Sequence, residues 1–303
     1  NGYKDMNGVP VATNRCNVRG AYTPEAFSDQ QEKIVAAINE LDSDVVALSE
    51  IENGHATTGD VAKRDNALNQ LVSELNKAGG NWAAVESPSD VPVKGDVIRV
   101  AFIYNKDRVE PVGESKIFTD ARFTGTAREP LAQEFKSTDP AVTETFVAVA
   151  NHFKSKGSVA NGDADQGDGQ GNNPNVRNAQ AQAVLDKLAE IPEWADKPTF
   201  VMGDLNSYTM EDAINIFRNA GYSVPAEDFK ADPSYQFDGY LGSLDHVLAK
   251  NVDVVDAKVW NINSDESVAF EYSRRKYNTV DFHDATPFRS SDHDPVKVGF
   301  SLD

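Results

Sequence analysis

Apolar positions along the chain change period several times, and each change marks an element. From residue 25 to 41, Phe27, Ile34, Val35, Ile38 and Leu41 recur near helical spacing. The next run, Asp44-Val-Val-Ala-Leu-Ser49, is short, continuous and apolar, which reads as a buried strand. A second helix is expected over 65–78, with Leu68, Leu71, Val72 and Leu75 on one face, followed by strands at 82–86 and 97–104. Later strands are expected at 145–151, 199–203, 244–249, 253–260 and 295–301, and helices at about 175–189 and 210–220. The polar, Gly-rich stretch from Asn161 to Asn175 reads as a loop, and a second long loop is expected over roughly 261–291. Strands outnumber helices, and their spacing is too irregular for a barrel of repeated strand–helix units. The expected class is α/β, with two packed sheets and helices outside them.

With 303 residues and 40% hydrophobic content, the chain can bury one large core, and no Ser, Pro or Gly tract divides it. A single domain over 1–303 is expected. No run of about 18 apolar residues occurs, and the first residues lack the pattern of a secretory signal. Processing would erase such a signal, so the destination stays open. Cys16 is the only cysteine, so no disulfide forms within the chain. The formal net charge of −19 repels a polyanion at long range. Bound divalent cations, or a few placed Lys and Arg, offset that locally. An acidic surface suits a secreted protein in salty water, where screening shortens the repulsion to roughly 8 Å or less.

Residues able to bind metal or move protons recur where apolar runs end or begin. Glu50 follows Val-Val-Ala-Leu-Ser, Asn151 and His152 follow Phe-Val-Ala-Val-Ala, and Asp204 and Asn206 follow Thr-Phe-Val-Met-Gly203. Asp245 and His246 instead precede Val-Leu-Ala, and Asp292, His293 and Asp294 precede Pro-Val-Lys-Val. If the second group of strands runs antiparallel to the first, all five clusters share one rim. Carboxylates crowded there repel one another unless a cation or proton offsets them. Hard oxygen ligands favour Mg²⁺, Mn²⁺ or Ca²⁺ over zinc.

Ala-Leu-Ser-Glu50, Asn151-His152-Phe-Lys154-Ser-Lys156-Gly, Gly203-Asp204-Leu-Asn206, Ser243-Leu-Asp245-His246 and Ser291-Asp292-His293-Asp294-Pro295 resemble, in order, the motifs of the endonuclease/exonuclease/phosphatase superfamily. The Asn-His-Phe-Lys-Ser-Lys-Gly segment and the Asp-rich loop after it look most like bacterial extracellular nucleases, a branch related to pancreatic deoxyribonuclease. The resemblance implies a four-layered α/β sandwich with two packed, mainly antiparallel sheets flanked by helices. It implies that Glu50 ligates the catalytic metal, Mg²⁺ or Mn²⁺, with Asp292 helping to hold it. His293 would serve as general base or electrostatic partner of the attacking water, oriented by Asp245. Asp204 and Asn206 would place the water and the phosphoryl oxygens, and His152 would contact the scissile phosphate or assist the leaving oxygen. Arg128 resembles a phosphate-contacting arginine of the branch. With Asn151, Lys154, Lys156 and Arg177 it forms the expected substrate-binding set, and Arg99 and Asp96 are further candidates for the cleft. The implied partner is nucleic acid, extracellular DNA first, with no membrane and no obligate protein partner. The implied location is outside the cell.

Other residues carry plainer readings. His246 reads as structural, and His55 and His283 as solvent-exposed. Glu52 rivals Glu50, two positions away on the same face of an extended segment. The loop bearing Asp163, Asp165 and Asp168 is either a calcium site or a solvated turn-rich segment, and its spacing does not fit an EF-hand. The family normally opens with a strand bearing Phe-Asn, whose Asn is a further metal ligand, and no such strand precedes Glu25. Either it belongs to a piece no longer attached, or another segment replaces it, with Asn14 and Asn17 as candidates. Competing functions are a phosphomonoesterase or phospholipase C-like enzyme of the same superfamily, although no apolar membrane-inserting hairpin is obvious, and a catalytically silent calcium-dependent binding module.

Overall fold

The computed structural model describes residues 4, 8–10, 20–92, 95–271 and 282–302. Helix α1 (Pro24–Glu40) starts where Thr23 accepts a hydrogen bond from the Ala26 N–H at 3.2 Å, with Pro24 in the first turn. Its apolar stripe and that of α3 (Asn66–Lys77) pack on one face of a three-stranded sheet. Leu68 and Leu75 of α3 meet Val46, Ala101 and Ile103 there. The sheet has the order β1 (Val45–Glu52), β3 (Ile98–Asn105), β2 (Trp82–Ala84), all antiparallel. The short α2 (Gly54–Thr58) follows β1.

A five-stranded sheet lies behind it, in the order β10 (Asp245–Lys250), β7 (Thr199–Asp204), β6 (Thr145–His152), β5 (Leu131–Ser137), β4 (Val109–Ile117). Only β6 and β7 run parallel. The central strands read as continuous apolar runs because both faces are covered. Val147, Val149 and Val201 face Ala181, Val184, Ile214 and Phe217 of α4 (Pro174–Ala189) and α5 (Asp212–Asn219). Phe146, Ala148, Ala150 and Phe200 face the other sheet. The result is four layers: helix, sheet, sheet, helix.

Most expected elements fall within one or two residues of their observed bounds, but β4 and β5 were not expected. Strand β4 carries Pro111, tolerated because the strand lies at the edge of its sheet. Strand β5 breaks the apolar pattern with Gln133 and Glu134, both buried. Glu134 is made tolerable there by Lys197, the Trp194 indole N–H at 2.8 Å and the Thr145 hydroxyl at 2.7 Å.

Helix α6 (Pro225–Asp228) leads into a hairpin, β8 (Tyr235–Phe237) and β9 (Tyr240–Gly242), and β11 (Asp253–Val259) pairs with β12 (Val296–Ser301). Phe300 of β12 packs on Phe146 and Phe200, with ring centroids 5.1 and 4.5 Å apart. Such contacts add about 0.5–1.5 kcal/mol each beyond simple burial. They fix β12, and the residues just before it, over β6 and β7. Among the described residues β1 and β12 each have one paired edge, and their other edges line a shared cavity of about 1650 Å³. The expected Phe-Asn strand has no counterpart among the described residues, and Asn14, Cys16 and Asn17 lie outside them.

The Asp-rich loop joins β6 to α4. Asp163 is buried, and its carboxylate accepts from the Asn175 N–H at 3.2 Å, the Asn175 side-chain amide at 2.7 Å and the Val176 N–H at 3.0 Å. It thus satisfies the first turn of α4, which Asn173 at the N-cap leaves open. Asp165 and Asp168 are exposed and accept from the Gly167 and Gln170 N–H groups of their own turns. Among the described residues no three carboxylates of the loop converge on one point. Asp163 serves the loop as a helix cap, and Asp165 and Asp168 close its local turns. Asp163→Ala is expected to lower the unfolding free energy by about 1–2 kcal/mol, the worth of a lost cap. Urea titrations with and without calcium would show it, with the wild-type midpoint expected to be the same in both.

Candidate active site

Three neighbouring strands align the central side chains by register alone. His152 at the end of β6 stands beside Asp204 at the end of β7, and Asp204 stands opposite Asp245 at the start of the antiparallel β10. The two strand directions therefore meet on one rim. Gly203 makes this possible: its φ is +120°, and a Cβ there would lie 2.2 Å from the Asn151 carbonyl oxygen.

His293 completes the row from the segment before β12. A backbone bridge joins it to Tyr235, and the Asp294 N–H donates to the Ser234 carbonyl at 2.8 Å. The His293 Nδ1 lies 2.8 Å from Asp245 Oδ2, and the Ser234 hydroxyl donates to the same oxygen at 2.8 Å. The Tyr235 ring stacks on the His293 imidazole, with centroids 4.4 Å apart. Asp245 thereby fixes the ring, leaving Nε2 free of that bond. Ser234 and Tyr235, which hold this pair, escape sequence reading because a three-residue strand shows no usable period.

The two histidines are driven apart in acidity. Burial, then the charges of Arg128 and His293, push His152 down to about 3. Burial opposes the charge on His293 as well. The Asp245 hydrogen bond and the charges of Asp245, Asp204 and Asp292 outweigh it and raise His293 to about 9. The Arg128 Nη1 lies 3.3 Å from His152 Nε2, and since a guanidinium can only donate, that nitrogen accepts. Asp204 Oδ2 is 3.5 Å from the same nitrogen, which in this neutral ring carries no proton to donate to it. Burial first, and then the charge of Asp245, push the Asp204 carboxyl up, with Glu50 adding to the effect. Such divergence within one cleft is the arrangement acid–base chemistry requires.

Glu50 reaches the row from the other sheet. Strand β1 bulges between Leu48 and Ile51, and Glu50 adopts a φ of +59° there. Glu52 accepts from the Thr57 hydroxyl at 3.0 Å, whereas Glu50 contributes to the field at Asp204. Glu50, His152, Asp204, Asp245, Asp292 and His293 all line the same cavity. Four carboxylates offer hard oxygen donors, and Asp204 among them is pushed by burial toward its neutral form, a donor set that fits a divalent cation such as Mg²⁺ or Mn²⁺. Glu50 and the exposed Asp292, both lining the cavity, are the residues that would hold it. Among the described residues no three His, Cys, Asp or Glu side chains already close around one point.

Other expected site residues fall elsewhere. Asn206 spends its side-chain amide on Asp204 Oδ2 at 3.0 Å and the Phe153 carbonyl at 3.1 Å, and its backbone N–H on Asp204 Oδ1 at 2.8 Å. It positions Asp204 and has no amide hydrogen left for a phosphoryl oxygen. Asn151 is fully buried and donates to the Val149 carbonyl at 2.8 Å, because alternation along β6 turns it away from the His152 side. Arg177 is fully buried between Glu211, at 3.1 Å, and the carbonyls of Gln170 and Asn172. Lys156 shares the Glu211 carboxylate and the Gln170 carbonyl. Both tie the loop to α5 and do not offer charge to substrate. Arg99 is buried against Asp65 at 2.7 Å, likewise away from the cleft. Arg128 does reach the site, held by Asp96 at 3.1 Å. Lys154 has no carboxylate partner among the described residues, and burial first, then the charge of Arg128, push the pKa of its ammonium down.

The remaining histidines also differ in part from expectation. His246 is buried and its Nε2 donates to the Ser207 carbonyl at 2.8 Å, a structural role. His55 is half-buried rather than exposed. His283 is only 10% exposed and lies 3.6 Å from both Asp29 and Glu32 of α1, partners too distant in sequence to be foreseen.

The fold places these residues among known structures. An endonuclease/exonuclease/phosphatase from Bacteroides vulgatus superposes with a TM-score of 0.60 at 15% identity, covering 91% of this chain and 92% of that one. A mannosyl-6-phosphatase from Bacteroides thetaiotaomicron VPI-5482 gives 0.58 at 16% identity, covering 94% and 97%. D. rerio TDP2 complexed with single strand DNA product gives 0.55 at 16% identity, covering 91% and 92%. No curated protein matches by sequence. A sequence profile described as the Endonuclease/Exonuclease/phosphatase family matches residues 16–293, nearly the whole chain. The chain belongs to that family, whose enzymes are hydrolases of phosphoester bonds and generally depend on a divalent metal.

Proposed function

We propose that this protein is a divalent-metal-dependent nuclease that hydrolyses phosphodiester bonds of nucleic acid, DNA first, outside the cell. The observation that carries the reading is the row His152–Asp204–Asp245–His293, with Asp245 gripping His293 at 2.8 Å. In-line hydrolysis needs a water held opposite the leaving oxygen, a proton acceptor for it, and relief of charge on the non-bridging oxygens. A divalent cation held by Glu50 and Asp292 would supply Lewis acidity at the phosphate. His293, oriented through Nδ1 by Asp245, turns Nε2 to the attacking water as its electrostatic partner while protonated, and as its general base once a cation offsets the carboxylates that hold the proton on the ring. Asp204, fixed by Asn206, orients that water. His152, kept neutral and poised by Arg128, contacts the phosphate or the departing oxygen.

Arg128 and Lys154 support a phosphodiester substrate, since both place positive charge beside His152 and the acid cluster. The D. rerio structure with single strand DNA product supports nucleic acid as the substrate class. An extracellular location is supported by the acidic composition, with a net charge of −19, and by the resemblance to extracellular nucleases.

Nicking of supercoiled plasmid is expected in Mg²⁺ or Mn²⁺ and not in EDTA, with recovery when metal is restored; nicking that persists in EDTA would refute the metal assignment. His293→Ala is expected to lose at least about 100-fold in rate, as for other acid–base groups, and a rate equal to wild type would remove it from the mechanism. Ser234→Ala, which takes one hydrogen bond from Asp245, is expected to lose about tenfold in kcat with KM little changed. Lys154→Met should instead raise KM, and a pure kcat effect would show that Lys154 does not grip substrate.

A further inference from the structure

The active-site row does not end at His293. Tyr235 stacks on that imidazole, and Phe237 lies parallel to Tyr235, with rings 11° from coplanar and centroids 6.4 Å apart. In the hairpin register Phe237 faces Tyr240 and Tyr235 faces Gly242, so Tyr235, Phe237 and Tyr240 share one face. Gly242 leaves that face open to the Tyr208 ring, whose Cε1 would lie 2.5 Å from any Cβ added there. Phe237 and Tyr240 are 64% and 77% exposed. Phe237, stacked through Tyr235 on the His293 imidazole, and Tyr240 opposite it on the same face of the hairpin have flat faces to offer that the described residues leave largely uncovered.

Charge gives this face a purpose. The chain carries −19 overall, and among the described residues the cations nearest His152 are Arg128, itself paired with Asp96, and Lys154. These two side chains against a net charge of −19 leave room for a grip that does not rest on charge. Stacking supplies one, because every base has a π-face and the interaction does not depend on counterion release. Resting on the nuclease reading above, we propose that the Tyr235–Phe237–Tyr240 face of the β8–β9 hairpin stacks unpaired bases of a single-stranded nucleic acid whose scissile phosphate lies at His293. Duplex bases are already stacked and hide these faces, so the surface selects single strands or locally opened duplex. A lipid surface fits less well. The hairpin turns through Asp238 and Gly239, so a carboxylate would have to enter the bilayer with the rings, at high cost.

The test compares single-stranded oligonucleotides that carry bases throughout with ones carrying tetrahydrofuran abasic residues beside a single labelled cleavage site. Wild type is expected to show a KM about tenfold lower for the base-bearing strand, the size of one base–ring stack. Phe237→Ala and Phe237→Leu should erase that preference, whereas Phe237→Trp, which keeps a flat ring, should retain it. Val255→Ser, at an exposed position on β11, serves as the control and should behave as wild type. Quenching of 2-aminopurine in a cleavage-resistant phosphorothioate strand, with Mg²⁺ present, reads the stacking without turnover and should be lost in the same two variants. Equal KM values for the two strands in wild type would overturn the proposal. So would wild-type binding to phosphatidylcholine vesicles that Phe237→Ala abolishes, which would make the face a lipid contact. Quenching without cleavage of any strand would sink the nuclease reading and leave the stacking face standing.

Discussion

Everything at the active site depends on the register of β6, β7 and β10, which sets His152, Asp204 and Asp245 side by side on one rim. A slip of one residue in either ladder would turn an acid or imidazole to the opposite face of the sheet. The ladder is protected by the apolar layers on both sides of it, with Val147, Val149 and Val201 against the helices and Phe146, Ala148 and Phe200 against the other sheet. The fold thus uses most of its core to hold a few polar groups in a geometry they would not choose. Asp204 is buried beside Asp245 and pushed toward its neutral form, a strain that a bound cation would relieve.

The support around the row is as specific as the row itself. Ser234 and Tyr235 fix the Asp245–His293 pair from one side, and Asn206 fixes Asp204 from the other. The β1 bulge aims Glu50 across the cleft, and the Phe146–Phe200–Phe300 cluster holds β12 down so that Asp292 and His293 stay within reach. Residues far apart in sequence therefore act through short, locally determined geometry.

Much of this was legible in the sequence because the chemistry sits at the ends of strong apolar runs. Asp204 and Asp245 adjoin β7 and β10, and their pairing follows once those strands are antiparallel. Two packed sheets with helices outside followed from the apolar strand runs and the period of α1 and α3, and the four layers were implied by the family resemblance. What failed did so for identifiable reasons. Gln133 and Glu134 hid β5 because their partners, Trp194, Thr145 and Lys197, come from other elements. Lys156 and Arg177 looked like substrate ligands because they flank His152 in sequence, but Glu211 on the far side of the loop claims both. Asn151 was misplaced by a single step of strand alternation. The aromatic hairpin was overlooked because three-residue strands carry no periodic signal, although it stands beside the catalytic histidine.

The cavity between β1 and β12 bears on how the enzyme could be tuned without touching its chemistry. Along both walls the edges of β1 and β12 that are unpaired among the described residues border a gap flanked by Val46, Phe146 and Phe300, and such edges readily accept an added strand. Glu50 sits on one wall and Asp292 just before the other. Whatever polypeptide settles in the gap therefore sets the separation of the two carboxylates assigned to the cation. Occupancy of a groove lined by backbone would act on the catalytic centre as a wedge acts on a hinge.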